Sequence, residues 1–95
     1  MNLIISPTIL AKLQAKHGVA LREVEQCFTN REGALLIDNR EQNKTIPPTQ
    51  WFIAHTHAGR LLKVCFIMNK GKVYLKTAYE PNQTEIALYA QLAGL

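Results

Sequence analysis

The stretch that decides the fold of this 95-residue chain is residues 59–80, GRLLKVCFIMNKGKVYLKTAYE. Two apolar segments of strand length flank the turn residues Asn69–Gly71, and this pattern predicts a β-hairpin. The hairpin carries five basic side chains and no acidic one before Glu80. The five are Arg60, Lys63, Lys70, Lys72 and Lys76. A cation in a strand that helps to build a core needs a partner, so the hairpin indicates a sheet surface that binds an anion.

More strands are predicted on the N-terminal side of this hairpin. The tight turn Ala58-Gly59 is expected to join a further strand to it, and such short connections make neighbouring strands antiparallel. The resulting meander has the predicted strands Trp51–His57, Arg60–Met68 and Lys72–Tyr79. Ala34–Asp38 predicts a fourth strand, and Leu3–Ile5 is a candidate edge strand. The polar segment Asn39–Thr49 predicts a long loop.

Three helices are predicted around the sheet. Ser6-Pro7 is a typical helix start, and Gly18 suits the end of that helix. A second helix is predicted over residues 20–29 from its apolar spacing. Asn82 and Glu85 form a capping box that begins the last helix.

The predicted fold class is therefore α+β in one domain, residues 1–95. It has two N-terminal helices, a four-stranded and mainly antiparallel sheet, and a C-terminal helix. We expect the helices to cover one face of the sheet in two layers, with the other face open and basic.

Positive charge is concentrated in the half of the chain that is predicted to form the sheet. Residues 1–41 carry five basic and five acidic side chains, whereas residues 42–95 carry six basic and two acidic ones, which accounts for the net charge of +4. This asymmetry favours a polyanionic partner, either nucleic acid or an acidic protein. A modestly basic surface that only aids solubility would give the same composition.

Several classes of protein are disfavoured by the sequence. The N-terminus lacks the features of a signal peptide, and no apolar run is long enough to span a membrane, so we expect a cytoplasmic protein without a membrane partner. Cys27 and Cys65 lack metal-binding spacing and are expected to be buried, reduced thiols. His55 and His57 share one face of a strand, but a zinc site needs a third ligand, so no metal is expected.

Several short motifs have counterparts in one bacterial family. Lys16-His17-Gly18-Val19 ends the first predicted helix, and Gly59-Arg60-Leu61-Leu62-Lys63-Val64 opens the middle strand. Thr77-Ala78-Tyr79 follows, with Glu85 and Tyr89 behind it. In these motifs and in its order of elements, the chain resembles the BrnT-like toxins of type II toxin–antitoxin systems, within the RelE/ParE superfamily.

The resemblance implies a RelE-like fold and an endoribonuclease that cleaves mRNA, in some members on the ribosome, without a cofactor. It also implies a cognate antitoxin as partner, in a hetero-oligomer, or a homodimer. BrnT-like members usually read Ser-Ala-Arg at the end of the last strand, and here Tyr79 stands at the position of that arginine. Arg60, Glu85 and Tyr89 match the family pattern.

RNA cleavage by its own 2′-hydroxyl needs a base, an acid for the leaving oxygen, and cations for the developing charge. The catalytic candidates are Arg60, Lys76, Glu85 and Tyr89. The candidates for RNA binding are Lys16, His55, His57, Lys63, Lys72 and Tyr79. Most have a plainer alternative. Arg60 could form a salt bridge to Glu80, Glu85 could only cap its helix, and Tyr89 could be a core residue. The lysines could be solvated side chains, and His55 and His57 could be exposed residues at a strand end.

Two other functions fit the same residues. One is a catalytically degenerate RelE-like protein that binds nucleic acid or a partner, or that inhibits gyrase as the ParE branch does. The other is an unrelated α+β interaction module.

Overall fold

The computed structural model describes residues 2–40 and 44–95. These residues form a five-stranded sheet with the strand order β1-β5-β4-β3-β2. The strands are β1 (Leu3–Ile4), β2 (Leu36–Ile37), β3 (Thr49–His55), β4 (Leu61–Asn69) and β5 (Lys72–Tyr79). The predicted antiparallel meander is confirmed as β3-β4-β5. Part of the predicted loop, residues 41–43, lies outside the described residues.

The sheet has five strands instead of the predicted four, because the candidate edge strand at Leu3–Ile5 is present as β1. β1 pairs in parallel with β5, with Leu3 opposite Val73 and Ile4 opposite Tyr74. The sheet is therefore mixed, but its other pairings are antiparallel, as predicted. The strand predicted over Ala34–Asp38 shortens to the two residues of β2, at the other edge of the sheet. A two-residue edge strand offers few backbone groups to another chain.

The helices begin and end near the predicted residues. α1 (Pro7–Lys12) is capped by the side chain of Ser6 and continues into a π-helical turn, Leu13–His17, which ends at Gly18 in the left-handed conformation. α2 covers Leu21–Asn30 and α3 covers Gln83–Leu92.

Helices lie on both faces of the sheet, which corrects the predicted two-layer arrangement. On one face, the α2 residue Phe28 packs against Phe52, with ring centroids 4.8 Å apart. On the other face, the α3 residue Tyr89 packs against Trp51 at 5.5 Å. Because Trp51 and Phe52 are neighbours in β3, their side chains point to opposite faces. The face that was expected to be open is therefore partly covered by α3, and we call it the α3 face.

A β-bulge between β4 and β5 sets the direction of the Lys76 side chain. Cys65 pairs with Thr77 and Phe66 pairs with Leu75, so Lys76 has no residue opposite it. A bulge interrupts the strict alternation of side chains, and Lys76 turns to the α3 face, beside Thr49. Ala78 is fully buried and pairs with Val64, so its side chain points away from that face.

Gly33 lies where α3 meets the segment before β2, and a side chain there would collide with α3. A Cβ atom on Gly33 would lie 2.7 Å from the Tyr89 hydroxyl and 2.9 Å from the Ala93 methyl group. That hydroxyl donates a hydrogen bond to the Ala34 carbonyl at 2.7 Å. We expect Gly33→Ala to lower the free energy of unfolding by about 2 kcal/mol through overpacking, as measured by urea denaturation. An unchanged midpoint would contradict the position of α3.

Candidate anion-binding groove on the α3 face

Three polar side chains meet where β4, β5 and α3 come together. The Lys63 ammonium donates to Glu85 Oε2 at 2.8 Å, and the Tyr79 hydroxyl donates to the same oxygen at 2.8 Å. Lys63 and Tyr79 are directly opposite in the β4–β5 register, so the sheet itself brings them together. We call Lys63, Tyr79 and Glu85 the triad.

The local sequence fixes the position of Glu85. Asn82 accepts a hydrogen bond from the Glu85 backbone at 2.8 Å, and Glu85 Oε1 accepts one from the Asn82 backbone at 3.0 Å. The predicted capping box is therefore confirmed. The other carboxylate oxygen of Glu85, Oε2, accepts the hydrogen bonds from Lys63 and Tyr79. Helix capping and the triad therefore use different oxygens of one side chain.

The environment of the triad decides which of its groups carry protons at neutral pH. Burial by itself would raise the pKa of Glu85, but the Lys63 ammonium and the Asn82 backbone lower it below its ordinary value. Burial would likewise lower the pKa of Lys63, and its bond to Glu85 raises it instead. Burial raises the pKa of Tyr79. At neutral pH the triad is thus an ammonium, a carboxylate and a neutral phenol. The Glu85 carboxylate accepts a hydrogen bond from each of the other two groups.

Lys63 is held deeper in the protein than a solvated lysine. It is 5% exposed, and its ammonium lies 4.6 Å from the centroid of the Trp51 ring. A cation over an indole face gains a favourable electrostatic contact. The side chain is therefore fixed from one side by Trp51 and from another by Glu85.

A second charged pair, Asp38 and Arg40, borders the triad and was not among the predicted site residues. Asp38 is 8% exposed and receives the Arg40 guanidinium at 3.1 Å and 2.8 Å, one bond to each carboxylate oxygen. The Arg40 side chain lowers the pKa of Asp38. The sequence does contain a signal for this pair, because an acidic residue precedes an arginine by two positions at the end of a predicted strand. The pair was missed because Asp38 was assigned to that strand and Arg40 to the predicted loop.

Two adjoining grooves open beside these charges. The larger, about 430 Å³, is lined by Trp51, Lys63 and Glu85 together with Leu36, Leu88 and Leu92. The smaller, about 190 Å³, is lined by Thr49, Cys65, Lys76, Thr77 and Tyr79. Asp38 and Arg40 line both grooves. Lys63 and Lys76 therefore reach neighbouring parts of one surface.

Arg60, one of the five hairpin cations expected on an anion-binding surface, lies apart from the two grooves. Its guanidinium donates to the carbonyls of His17 and Gly18 at 3.1 Å and 2.9 Å. It also bonds Glu23 at 3.1 Å and Glu80 at 3.0 Å. These groups belong to the π-helical turn, to α2 and to the end of β5. The plainer alternative, a salt bridge to Glu80, is present, and a phosphate role for Arg60 stays a prediction.

Tyr89 also contacts protein groups. It is 2% exposed, packs on Trp51, and donates its hydroxyl proton to the Ala34 carbonyl. These contacts place it in the core that seats α3, while its predicted catalytic role remains untested.

The remaining candidates for RNA binding are spread over the surface. His57 contacts the Asn30 amide at 3.0 Å beside the end of α2, and His55 lines a separate cavity with Ile86 and Tyr89. Lys72 is exposed beside the β4–β5 turn and Lys16 is exposed in the π-helical turn. Of the ten predicted site residues, Lys63, Lys76, Tyr79 and Glu85 line the two grooves.

Three further features bear on the kinds of site the chain offers. Among the described residues there is no group of three or more His, Cys, Asp or Glu side chains placed to hold a metal ion. Cys27 and Cys65 are buried and unpaired, as predicted, and burial raises the pKa of each thiol to about 11. Over the ranges 2–40 and 44–95, no helix has the length and hydropathy to cross a bilayer.

Comparisons with known proteins leave the family open. No protein-family model, curated protein or solved structure matches the chain. The resemblance to BrnT-like toxins therefore stays a prediction from sequence motifs.

Three carboxylates that pair with cations, Glu23, Asp38 and Glu85, should make the free energy of unfolding depend on pH in acid. The Ala20 backbone and the Arg60 guanidinium lower the pKa of Glu23, and the values for Asp38 and Glu85 are also lowered. Carboxylates with a lowered folded-state pKa stabilise the fold above their ordinary values and lose that contribution as the pH falls through the lowered ones. We expect urea midpoints to fall progressively below about pH 5, and Glu85→Gln to make that decline shallower. A decline that begins at neutral pH would contradict this assignment.

Proposed function

We propose that this protein is a RelE-like toxin of the BrnT type, a cytoplasmic, metal-independent endoribonuclease that a cognate antitoxin inhibits. The observation that carries the proposal is the triad, in which one carboxylate oxygen lies 2.8 Å from both an ammonium and a phenol beside an open groove. This is the set of groups that transesterification of RNA requires. The sequence resemblance supports the same chemistry.

The proposed reaction assigns one role to each group of the triad. Glu85 accepts the proton of a ribose 2′-hydroxyl, whose oxygen attacks the adjacent phosphorus. The bond from phosphorus to the 5′-oxygen breaks, and Tyr79 or Lys63 gives that oxygen a proton. The products are a 2′,3′-cyclic phosphate and a 5′-hydroxyl, with no metal needed in any step.

The added negative charge of the transition state needs cations nearby. Lys63 lies in the triad, and Lys76 and Arg40 line the groove that Tyr79 also borders. Tyr79 replaces the arginine that BrnT-like toxins usually carry at this position. In this proposal Lys76, turned inward by the bulge, and Arg40 supply the positive charge, and Arg60 stabilises the fold.

The proposal is tested by cleavage of a single-stranded RNA by the purified protein in the presence of a chelator. We expect cyclic-phosphate products and no cleavage at a 2′-deoxy position. Glu85→Gln should lower the rate by about 100-fold, since general-base catalysis contributes that much or more. Glu25→Gln, at an exposed position on α2, is the matched control and should retain full activity. The proposal would be contradicted if Glu85→Gln cleaved RNA at the wild-type rate, or if RNA were cleaved at a 2′-deoxy position.

A second candidate function is a RelE-like protein that binds a partner or nucleic acid without cleaving it. It is favoured by the saturation of Glu85, whose two oxygens receive three hydrogen bonds from within the protein. In that case the triad is a structural contact between α3 and the sheet. Growth arrest on expression without new RNA 5′ ends would favour this candidate, including a ParE-like gyrase inhibitor.

A further inference from the structure

The two grooves of the α3 face differ in chemistry although they share a wall. The smaller groove is lined by the cations Arg40 and Lys76 and by one anion, Asp38. The larger groove is lined by two cations and two anions, Arg40, Lys63, Asp38 and Glu85. Among the described residues, cations outnumber anions in the lining of the smaller groove, which favours an anion there, whereas they are equal in number in the lining of the larger groove.

The larger groove has aromatic and aliphatic walls, which suit contact with a planar ring such as a nucleobase. Trp51 lines it from β3, and Leu88 and Leu92 line it from α3. These two leucines are 44% and 55% exposed, although they lie one turn apart over the groove. Apolar and aromatic walls with a few polar groups are typical of sites for small organic ligands.

Asp38 fixes the arginine that both grooves share. Its carboxylate receives the Arg40 guanidinium through two bonds and the Arg40 backbone through a third, at 3.0 Å. A bidentate pair of this kind holds the planar guanidinium in one orientation. Asp38 is itself buried, so the pair is anchored in the protein.

We propose that the two grooves together bind one nucleotide unit, with its phosphate against Arg40 and Lys76 and its base against Trp51, Leu88 and Leu92. Asp38 is a positioning residue that directs Arg40 toward the phosphate. The proposal rests on the proposed function, because the sugar then lies beside the triad, between the two grooves. Beyond the proposed function, it assigns the phosphate to the smaller groove and the base to the larger one.

Binding of three probes to the purified protein tests this arrangement by calorimetry. Adenosine 3′-monophosphate should bind at least about tenfold more tightly than either adenosine or inorganic phosphate, because it fills both grooves. Arg40→Gln and Lys76→Gln should each weaken the nucleotide and phosphate by about tenfold and leave adenosine unchanged. Leu88→Ser should weaken the nucleotide and adenosine and leave phosphate unchanged. Arg22→Gln and Leu95→Ser, at exposed positions outside both grooves, are the controls.

Asp38→Asn separates positioning from simple charge attraction. Removing a negative charge would by itself strengthen phosphate binding, whereas loss of a correctly held Arg40 should weaken it by several-fold. Circular dichroism of each variant confirms that it is folded. Equal binding by wild type, Arg40→Gln and Lys76→Gln would overturn the proposal, as would tighter phosphate binding by Asp38→Asn.

The failure of this proposal is distinguishable from failure of the proposed function. If wild type cleaves RNA and Arg40→Gln binds and cleaves normally, the assignment of the grooves is wrong and the ribonuclease stands. If the probes bind as expected but RNA is not cleaved, the nucleotide site stands and the ribonuclease is wrong.

Discussion

Replacing Arg60 by methionine is expected to lower the free energy of unfolding by about 3 kcal/mol, because hydrogen bonds to a charged group contribute about 1.5–3 kcal/mol each before solvent screening. The guanidinium joins three separate elements through the His17, Gly18, Glu23 and Glu80 contacts. Its side chain is 27% exposed, so the sum of these bonds is reduced by screening. For a domain of this size the loss corresponds to a fall in melting temperature of about 15 °C.

The controls for Arg60 distinguish a structural role from a role in RNA binding. Arg22→Met removes an exposed cation from α2 and should change the melting temperature by less than about 3 °C. Arg60→Lys keeps the charge but cannot reproduce the planar fork, and it should lie between wild type and Arg60→Met. A melting temperature that is unchanged in Arg60→Met, together with lost RNA cleavage, would restore the phosphate role predicted from the sequence.

The meander and the helix starts were predictable because short-range signals decide them. The turn at Asn69–Gly71, the Ser6-Pro7 start and the Asn82–Glu85 capping box each involve residues within a few positions of one another. Their physics is local, and the structure reproduces all three.

The side of the sheet on which α3 lies was not predictable in the same way. Its stripe of Ile86 and Tyr89 is apolar whichever face it meets. The choice depends on contacts distant in sequence, such as Tyr89 with Trp51 and with the Ala34 carbonyl. The parallel pairing of β1 with β5 is equally non-local, and a two-residue strand gives almost no periodic signal.

The candidate site was predicted in part for similar reasons. Lys63 and Lys76 were found because cations inside apolar strands are unusual. Tyr79 and Glu85 were found through the resemblance to BrnT-like toxins. Their meeting at the triad and the grooves depends on the β4–β5 register and on the bulge at Lys76. Arg60 was misplaced because the position just before a strand does not reveal which face its side chain will reach.

Lys63→Met is the second substitution for which we expect a large effect, a loss of about 3 kcal/mol in the free energy of unfolding. The Lys63 side chain is 7% exposed and its partner Glu85 is 20% exposed. Methionine would leave the Glu85 carboxylate without its cation in a partly buried position, and an unpaired buried charge is costly. Lys76→Met is the matched control, because Lys76 is half-buried and contacts Thr49 at 3.4 Å, and it should change stability by less than about 1 kcal/mol.

A double-mutant cycle locates the origin of this loss. Adding Glu85→Gln to Lys63→Met removes the unpaired charge, so the double variant should be more stable than Lys63→Met by at least about 1 kcal/mol. The difference in stability between Lys63→Met and wild type should also shrink as the pH is lowered, because the carboxyl that has lost its cation takes up a proton more readily than the paired one. Trp51 is the one tryptophan of the chain and lies next to Lys63. Its fluorescence therefore reports unfolding of each variant in urea. Additive single effects, or a difference that does not depend on pH, would mean that Lys63 and Glu85 are not paired in solution. The ribonuclease proposal would then lose the arrangement of base and cation on which it depends.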